Sequence, residues 1–405
     1  MLSVAEARAR VLSGVGVLEG VERPVREAYG LVAARDLAAP HALPRFANSA
    51  MDGFAVRAVD VAGASEADPK SLRLVGEVRA GDPGDLEISS KEAARIMTGA
   101  PLPRGADAIV PVEVTEERDR RVLIRVPSHE AQHVRPAGDD VDEGAIVVRA
   151  GSKLGAGELA ILASLGISPV PVHRRPLVAV ITSGDELVDP EQPVRPGEIR
   201  DSNSVALAAL VHEAGAELMP GGRVEDRREA VIYALERAAE EGDLVISSGG
   251  VSVGRYDFVK DAVVKLGRID AWKVAMQPGK PVVVGEVRGV PFLGLPGNPV
   301  SIHVGFEQFV RPAIRKLSGC SELLRPTLIA TLTERVTKRP GRLHFVRIRL
   351  SETDGRWRAT PTGPQGSHIQ SSLVGAHGVA RFYEDETVLE AGSEVTVEVW
   401  QLPQR

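Results

Sequence analysis

Hydrophobic and polar positions change rhythm several times along the chain. Residues 4–12 carry apolar side chains at helical spacing among Ala and Arg, and Ser3 followed by Glu6 writes a capping box ahead of them. A second short helix is expected over residues 27–37. From Leu72 onward short apolar runs take over, at 72–78, 108–114, 122–126 and 145–148. Gly81, Gly84, Pro101, Pro103, Pro127 and Pro136 separate them, which is the punctuation of hairpins and barrels. Helical spacing returns at 155–165. Residues 41–140 therefore read as a β-rich insertion into an N-terminal helical and linker domain built from 1–40 and 141–175.

The pattern changes again at Leu177. Continuous apolar runs at 177–181, 244–246, 281–285 and 292–295 alternate with helical segments at 204–214, 227–241, 258–266 and 300–317. Short buried runs alternating with helices make β-α units, a doubly wound sheet with both faces covered. Residues 176–319 are thus expected to form a nucleotide-type α/β domain. Beyond Ser318 the pattern is β once more, at 328–332, 344–350, 379–383 and 394–400, and predicts a barrel-like C-terminal domain over 320–405. The fold class is α/β multidomain. No internal repeat or low-complexity tract interrupts it.

Composition narrows the function. With 49 Lys+Arg against 55 Asp+Glu the formal charge is −6, so the cationic field of a general nucleic-acid or membrane-surface binder is missing. No run approaches the ~18 apolar residues of a membrane span, and the N-terminus lacks an apolar secretory core. A single cysteine, Cys320, excludes an internal disulfide and a multi-cysteine metal site. A cytoplasmic protein is expected. Aromatic residues make up only 4%, so the cores must be built from Val, Leu, Ile and Ala. The nine histidines do not pair at metal-ligand spacing and no Gly-x-Ser-x-Gly turn occurs, which leaves a bound metal and electrostatics as the sources of any chemistry.

Ligands of an open parallel sheet sit outside the carboxyl ends of its strands, and four segments fall there. Thr182-Ser183-Gly184-Asp185-Glu186 offers hydroxyls and acids for a metal or a sugar, or for helix capping by Ser183 or Asp185. Ser247 to Gly254, containing Ser248, Gly249, Gly250 and Ser252 with Asp257 three residues on, lets backbone and hydroxyl donors approach an anion closely. It is not a P-loop, because no Gly-Lys-Ser/Thr follows. Lys280, between Gly279 and Pro281, is pinned on a stiff turn. Pro296-Gly297-Asn298 leads from strand to helix. Asp185, Glu186, Asp201, Asp226 and Asp257 all fall near strand ends; acids gathered there repel one another unless a cation sits among them, and hard oxygen ligands favour Mg²⁺. Two further motifs, 48–56 around Asp52 and 97–107 around Thr98, have no helical or strand period and read as functional loops.

Taken together, NSAMDGFAV (48–56), MTGAPLPRGADAIVPVE (97–113), TSGDEL (182–187), SSGGVSVGRYD (247–257), PGKP (278–281) and LPGNPVS (295–301) resemble the molybdopterin molybdenumtransferase family. This is the MoeA type, similar to the E domain of gephyrin, and the resemblance runs in order from about residue 3 to 403. It implies Mg²⁺-dependent insertion of molybdate into adenylated molybdopterin with release of AMP, the last step of molybdenum cofactor assembly. It also implies a homodimer whose active site joins the α/β domain of one subunit to the β insertion of the other, and a transient contact with molybdopterin adenylyltransferase.

Position by position, the resemblance implies catalytic roles for Asp52, Thr98, Glu186, Asp257, Lys273 and Lys280, with Asp185, Glu186 and Asp257 on the metal. It assigns Ser183, Gly184, Asp226, Ser248, Gly249, Gly250, Ser252, Gly254, Pro296, Gly297, Asn298, Arg347 and Ser367 to substrate binding, and Asp139 or Asp140 to the cleft. One departure is Gln277, where many relatives carry a basic residue. Two other readings share these motifs: a molybdopterin adenylyltransferase, which needs only the α/β domain, and a non-catalytic scaffold of the gephyrin kind.

Overall fold

In the computed structural model, described for residues 1–220, 222–249 and 258–403, the chain divides into two units. One contains Asp36–Arg149 and Ala156–Ser168; the other contains Met1–Arg35, Ala150–Gly155 and Pro169–Arg405. The helix at Ala156–Ser164 thus goes with the inserted β-rich segment and not, as expected, with the N-terminal domain.

The inserted unit is built on a six-stranded sheet in the order Ala108–Pro111, Gly53–Val56, Glu92–Ile96, Lys70–Val78, Arg121–Ile124, Thr115–Arg118. Both faces are covered. Phe54, Val56, Ala93, Val110 and Val122 pack on one side, while Ala55, Ala94, Ile96 and Ile109 pack on the other. This corrects the reading of 48–56 as lacking strand character: Gly53–Val56 is a strand buried at every position, so it shows no alternation. Gly53 is required by close approach, since a Cβ there would lie 2.2 Å from the Val110 carbonyl oxygen.

In the larger unit the N-terminal helix Val4–Ser13 forms as expected, with reciprocal bonds from Glu6 N–H to Ser3 Oγ (3.2 Å) and from Ser3 N–H to Glu6 Oε2 (2.8 Å). The helix expected at 27–37 does not. A single turn at Val25–Glu27 leads instead to short strands at Val32–Ala33 and Leu37–Ala38. Gly30 interrupts at φ +74°, and the backbone of Val32–Ala33 pairs with Val170–His173, so long-range pairing overrides the helical propensity of the Ala residues.

The central sheet runs Glu217–Leu218, Leu177–Ser183, Leu244–Ser248, Val290–Leu295, Pro281–Val287, Gly267–Lys273. The first four are parallel, and the last two add antiparallel at one edge. Alternate residues of Leu177–Ser183 serve the two faces. Val178 and Val180 join helices Val4–Ser13, Ser202–Ala214 and Arg311–Leu317, while Ala179 and Ile181 join Arg228–Glu241 and Phe258–Leu266. The C-terminal strands close on themselves in the order Leu343–Thr353, Arg356–Pro361, Thr327–Leu332, Glu394–Val399, Gly378–Phe382, with the last pairing back to the first. This barrel has its own core of Val346, Ile348, Phe382 and Val397. Met276–Gln277 adds to its rim in parallel with Leu343 and His344, which ties the turn at 277–281 to the barrel. No helix of the described residues is long and apolar enough to cross a membrane.

Candidate active-site cleft

All four strand-end loops meet barrel residues around a cleft of about 730 Å³ in the larger unit. Glu186 comes from the first loop, Gly249 from the second, Gln277 and Lys280 from the third, and Pro296, Gly297 and Asn298 from the fourth. Arg342, Gln365, Gly366 and Ser367 reach in from the barrel.

Side-chain bonds fix these loops against each other. Asn203 Nδ2 donates to the Gly297 carbonyl (2.8 Å) and to Ser248 Oγ (3.2 Å). Asn298 Nδ2 donates to Ser367 Oγ (3.3 Å), and Val300 N–H to the Ser367 carbonyl (3.2 Å). Beneath them, buried Asp201 accepts from Thr182 Oγ1 (2.7 Å) and from Ser204 N–H (3.0 Å), so this acid caps the helix Ser202–Ala214 and is spent on structure. The capping expected of Ser183 or Asp185 falls to Asp201 instead.

The charge pattern is asymmetric. Lys280 and Arg342 are half-buried, and neither side chain has a hydrogen bond or ion pair among the described residues. Glu186 is the one acid lining the cleft among those residues. Its carboxylate folds over Gly184, 2.7 Å from where a Cβ would stand, and Gly184 takes φ +157°, a conformation that L side chains rarely adopt. Asp226 is near enough to respond to the same group. Its carboxyl is pushed up, first by burial and then by the negative charges of Asp185 and Glu186. No group of three His, Cys, Asp or Glu residues among the described residues is already arranged as a metal cage.

Other expected residues lie elsewhere. Lys273 is exposed on the edge strand opposite Pro281 and does not line the cleft. Arg347, expected at the ligand, is completely buried beneath the 364–367 wall. Ser183, Gly184 and Ser248 sit just behind the lining at their strand ends. Gly250, Ser252, Gly254 and Asp257 lie outside the described residues. Asp52 and Thr98 belong to the inserted unit, where they meet across the Gly53–Ile96 pairing. Asp52 Oδ1 accepts from the Thr98 N–H and from its Oγ1, both at 2.7 Å, and these bonds hold the exposed carboxyl below its ordinary pKa. The barrel residues Arg342, Gln365 and Gly366 were not anticipated. Gln365 and Gly366 directly precede Ser367, and Arg342 follows the Pro340-Gly341 turn, so proximity to a turn was the only signal available.

An α/β sheet with strand-end loops, two cations without an ion pair among the described residues and a second wall from a β-barrel make a cleft whose charge and backbone donors suit an anionic ligand. Residues 2–166 match the family described as MoeA N-terminal region (domain I and II), 179–316 match the probable molybdopterin binding domain, and 330–400 match the MoeA C-terminal region (domain IV). The chain is 40% identical over 408 residues to molybdopterin molybdenumtransferase 2 of Mycobacterium tuberculosis, covering 99% of this chain and 100% of the relative. It is 36% identical to the molybdopterin molybdenumtransferase of Haemophilus influenzae, covering 98% of each. A solved molybdopterin biosynthesis MoeA protein from Pyrococcus horikoshii superposes with a TM-score of 0.85 at 33% identity, covering 99% of each chain. The chain belongs to the molybdopterin molybdenumtransferase family, a family of transferases.

Proposed function

We propose that this chain inserts molybdenum from molybdate into adenylated molybdopterin, releasing AMP, as the last step of molybdenum cofactor assembly. The observation that carries this reading is the pair of unpaired cations, Lys280 and Arg342, on a cleft walled by glycine loops and Ser367. Molybdate is a dianion and takes such a site through charge and hydroxyl or backbone donors. In the reaction water attacks phosphorus of the adenylate's phosphoanhydride and AMP leaves; the two dithiolene thiols give up their protons and replace two oxygens of molybdate, which depart as water after taking up those protons and two more from solvent.

The acids fit a hard divalent cation, because burial first, and then the charges of Asp185 and Glu186, disfavour an ionised Asp226 that a cation would stabilise. Asp185, Glu186 and Asp226, with Asp257, would hold Mg²⁺, which neutralises charge on the phosphoanhydride when bound. The chain's own residues do the rest. Lys280 and Arg342 grip the oxyanion, and Asn203 and Asn298 keep the loops in register. A homodimer, a cytoplasmic setting and handover from molybdopterin adenylyltransferase complete the proposal.

The test is AMP release from adenylated molybdopterin with molybdate and saturating Mg²⁺. Wild type should turn over, whereas Glu186→Ala and Asp257→Ala should keep the fold and lose cleavage. Wild-type rates in both variants would overturn the metal assignment, and accumulation of adenylate from ATP and molybdopterin without molybdate would favour an adenylyltransferase. AMP-silent wild-type protein that captures a partner would favour a scaffold.

A further inference from the structure

We infer that Gln308 is a positioning residue: it seats the C-terminal barrel, and with it the barrel wall of the cleft, in one orientation on the α/β domain. The inference deepens the proposed function and rests on it where ligand affinity is read. The helix over 299–317 leaves the cleft at Asn298 and carries a π turn at Phe306–Val310, where the Arg311 N–H bonds back to the Phe306 carbonyl. Pro312 accounts for that turn, since it has no N–H to give the Gln308 carbonyl and its ring clashes with an α-helical carbonyl there. Gln308, inside the turn, is 2% exposed. Its Nε2 donates to Glu398 Oε2 on the barrel strand Glu394–Val399 (2.6 Å), and its Oε1 accepts from Arg8 Nη1 on the N-terminal helix (3.2 Å). The other oxygen of Glu398 accepts from Arg381 Nε on the neighbouring strand Gly378–Phe382 (2.8 Å). That strand pairs in turn with Leu343–Thr353, which Arg342 of the cleft directly precedes.

Two features separate this amide from ordinary core filling. The core that contains the turn is apolar, with Phe306, Phe309, Val310 and Phe345 in it. An apolar side chain would fill the space without the desolvation that an amide brings. Apolar contact is also non-directional and lets two surfaces slide, whereas bonds at both ends of one amide are satisfied in a single seat. The second feature is the helix itself, which meets the barrel again at its start. There Val300 N–H donates to the Ser367 carbonyl (3.2 Å) and Asn298 Nδ2 to Ser367 Oγ (3.3 Å), about 12 Å from Gln308 along the axis. Two attachments on one helix set the tilt of the barrel. The bonds at the cleft end are neutral, while the joint at Gln308 is buried and charge-assisted, so the joint is the stronger of the two.

Two measurements test this. In a Cys320→Ser background, spin labels at Tyr233→Cys on the helix Arg228–Glu241 and at Val388→Cys beside the barrel-core residue Leu389 report the seat of the barrel without any ligand; both positions are exposed. Calorimetric titration of molybdate reads the cleft. Gln308→Met keeps the length of the side chain and removes both bonds, and Gln308→Glu sets two carboxylates against each other. Each should broaden the distance distribution and weaken molybdate by about fivefold, the scale of one hydrogen bond. Adding Glu398→Gln to Gln308→Glu exchanges amide and carboxylate, keeps an acceptor for Arg8 and for Arg381, and should restore both readouts. Titrations run well below the melting temperature, where nearly all molecules are folded and a loss of stability by itself leaves the dissociation constant unchanged. Gln308→Met decides the matter if Gln308→Glu does not fold. Wild-type distances or wild-type molybdate affinity in the folded single variants would overturn the inference, as would an exchange that restores the melting temperature but not the distances. Wild-type protein that binds no molybdate would instead overturn the proposed function, and the distances would still decide the seat.

Discussion

Replacing Lys280 with Met removes one of the two unpaired cations from the cleft while keeping the length of the stem. The cleft volume of about 730 Å³ corresponds to a sphere of radius about 5.6 Å, so a centred ion lies about 5–6 Å from the lining charges. For a dianion at that distance, one ammonium contributes about 1.5 kcal/mol at the dielectric of water and about 6 kcal/mol at the effective value near a protein surface. The cleft is open to solvent and Lys280 is half-buried, so the lower part of that range applies, about 1.5–3 kcal/mol or roughly 10- to 150-fold in affinity. Calorimetric titration of molybdate into wild type and Lys280→Met, at two ionic strengths, reads this directly. The difference should shrink as added salt shortens the Debye length to its physiological value of about 8 Å and below. Molybdate affinity within twofold of wild type at low salt, or equal weakening of adenylate, would refute the assignment of Lys280 to the oxyanion.

The remaining predictions address the same cleft, the inserted unit and the core. Gln277→Lys puts a third cation on the lining and should tighten molybdate by a factor similar to the loss from Lys280→Met; unchanged or weaker binding would show that position 277 does not face the ion. Asp52 has a depressed pKa in the folded protein, because Thr98 donates two bonds to its charged form. Its stabilising contribution is therefore present above the unfolded pKa of about 3.9 and is lost as pH falls through the lower folded value. An NMR titration of Asp52 with a midpoint at or above about 4 would contradict this. Glu307 is buried and accepts from Arg325 Nε (2.9 Å) and Nη2 (2.8 Å), with Arg311 3.9 Å away. Glu307→Ala removes the carboxylate beside Arg311 and leaves Arg325 only the exposed Glu213 at 3.6 Å, and should cost about 3–5 kcal/mol in denaturant unfolding; a loss below about 1 kcal/mol would mean that Glu213 and other groups compensate.

Much of this protein was decided by local sequence. The capping box at Ser3 and Glu6, the buried runs at 177–181 and 244–246 and the glycine-rich loops after them depend on residues within a few positions of one another, so periodicity and turn chemistry expose them. Glu186 and Lys280, which line the cleft, were legible for the same reason, since each sits at a predicted strand end. Tertiary structure decided what those residues are used for. Asp201 resembles its acidic neighbours in sequence, yet its carboxylate is consumed by Thr182 and Ser204. Arg347 and Arg342 are two arginines on one barrel segment, but one lies sealed beneath the loop and the other lines the cleft. Gly53–Val56 hid its strand because both of its faces are covered, and 27–37 lost its helix to a distant strand. Apart from the local Asp201–Ser204 cap, the deciding partners lie farther along the chain, and which distant groups meet is a property of packing that no local pattern contains.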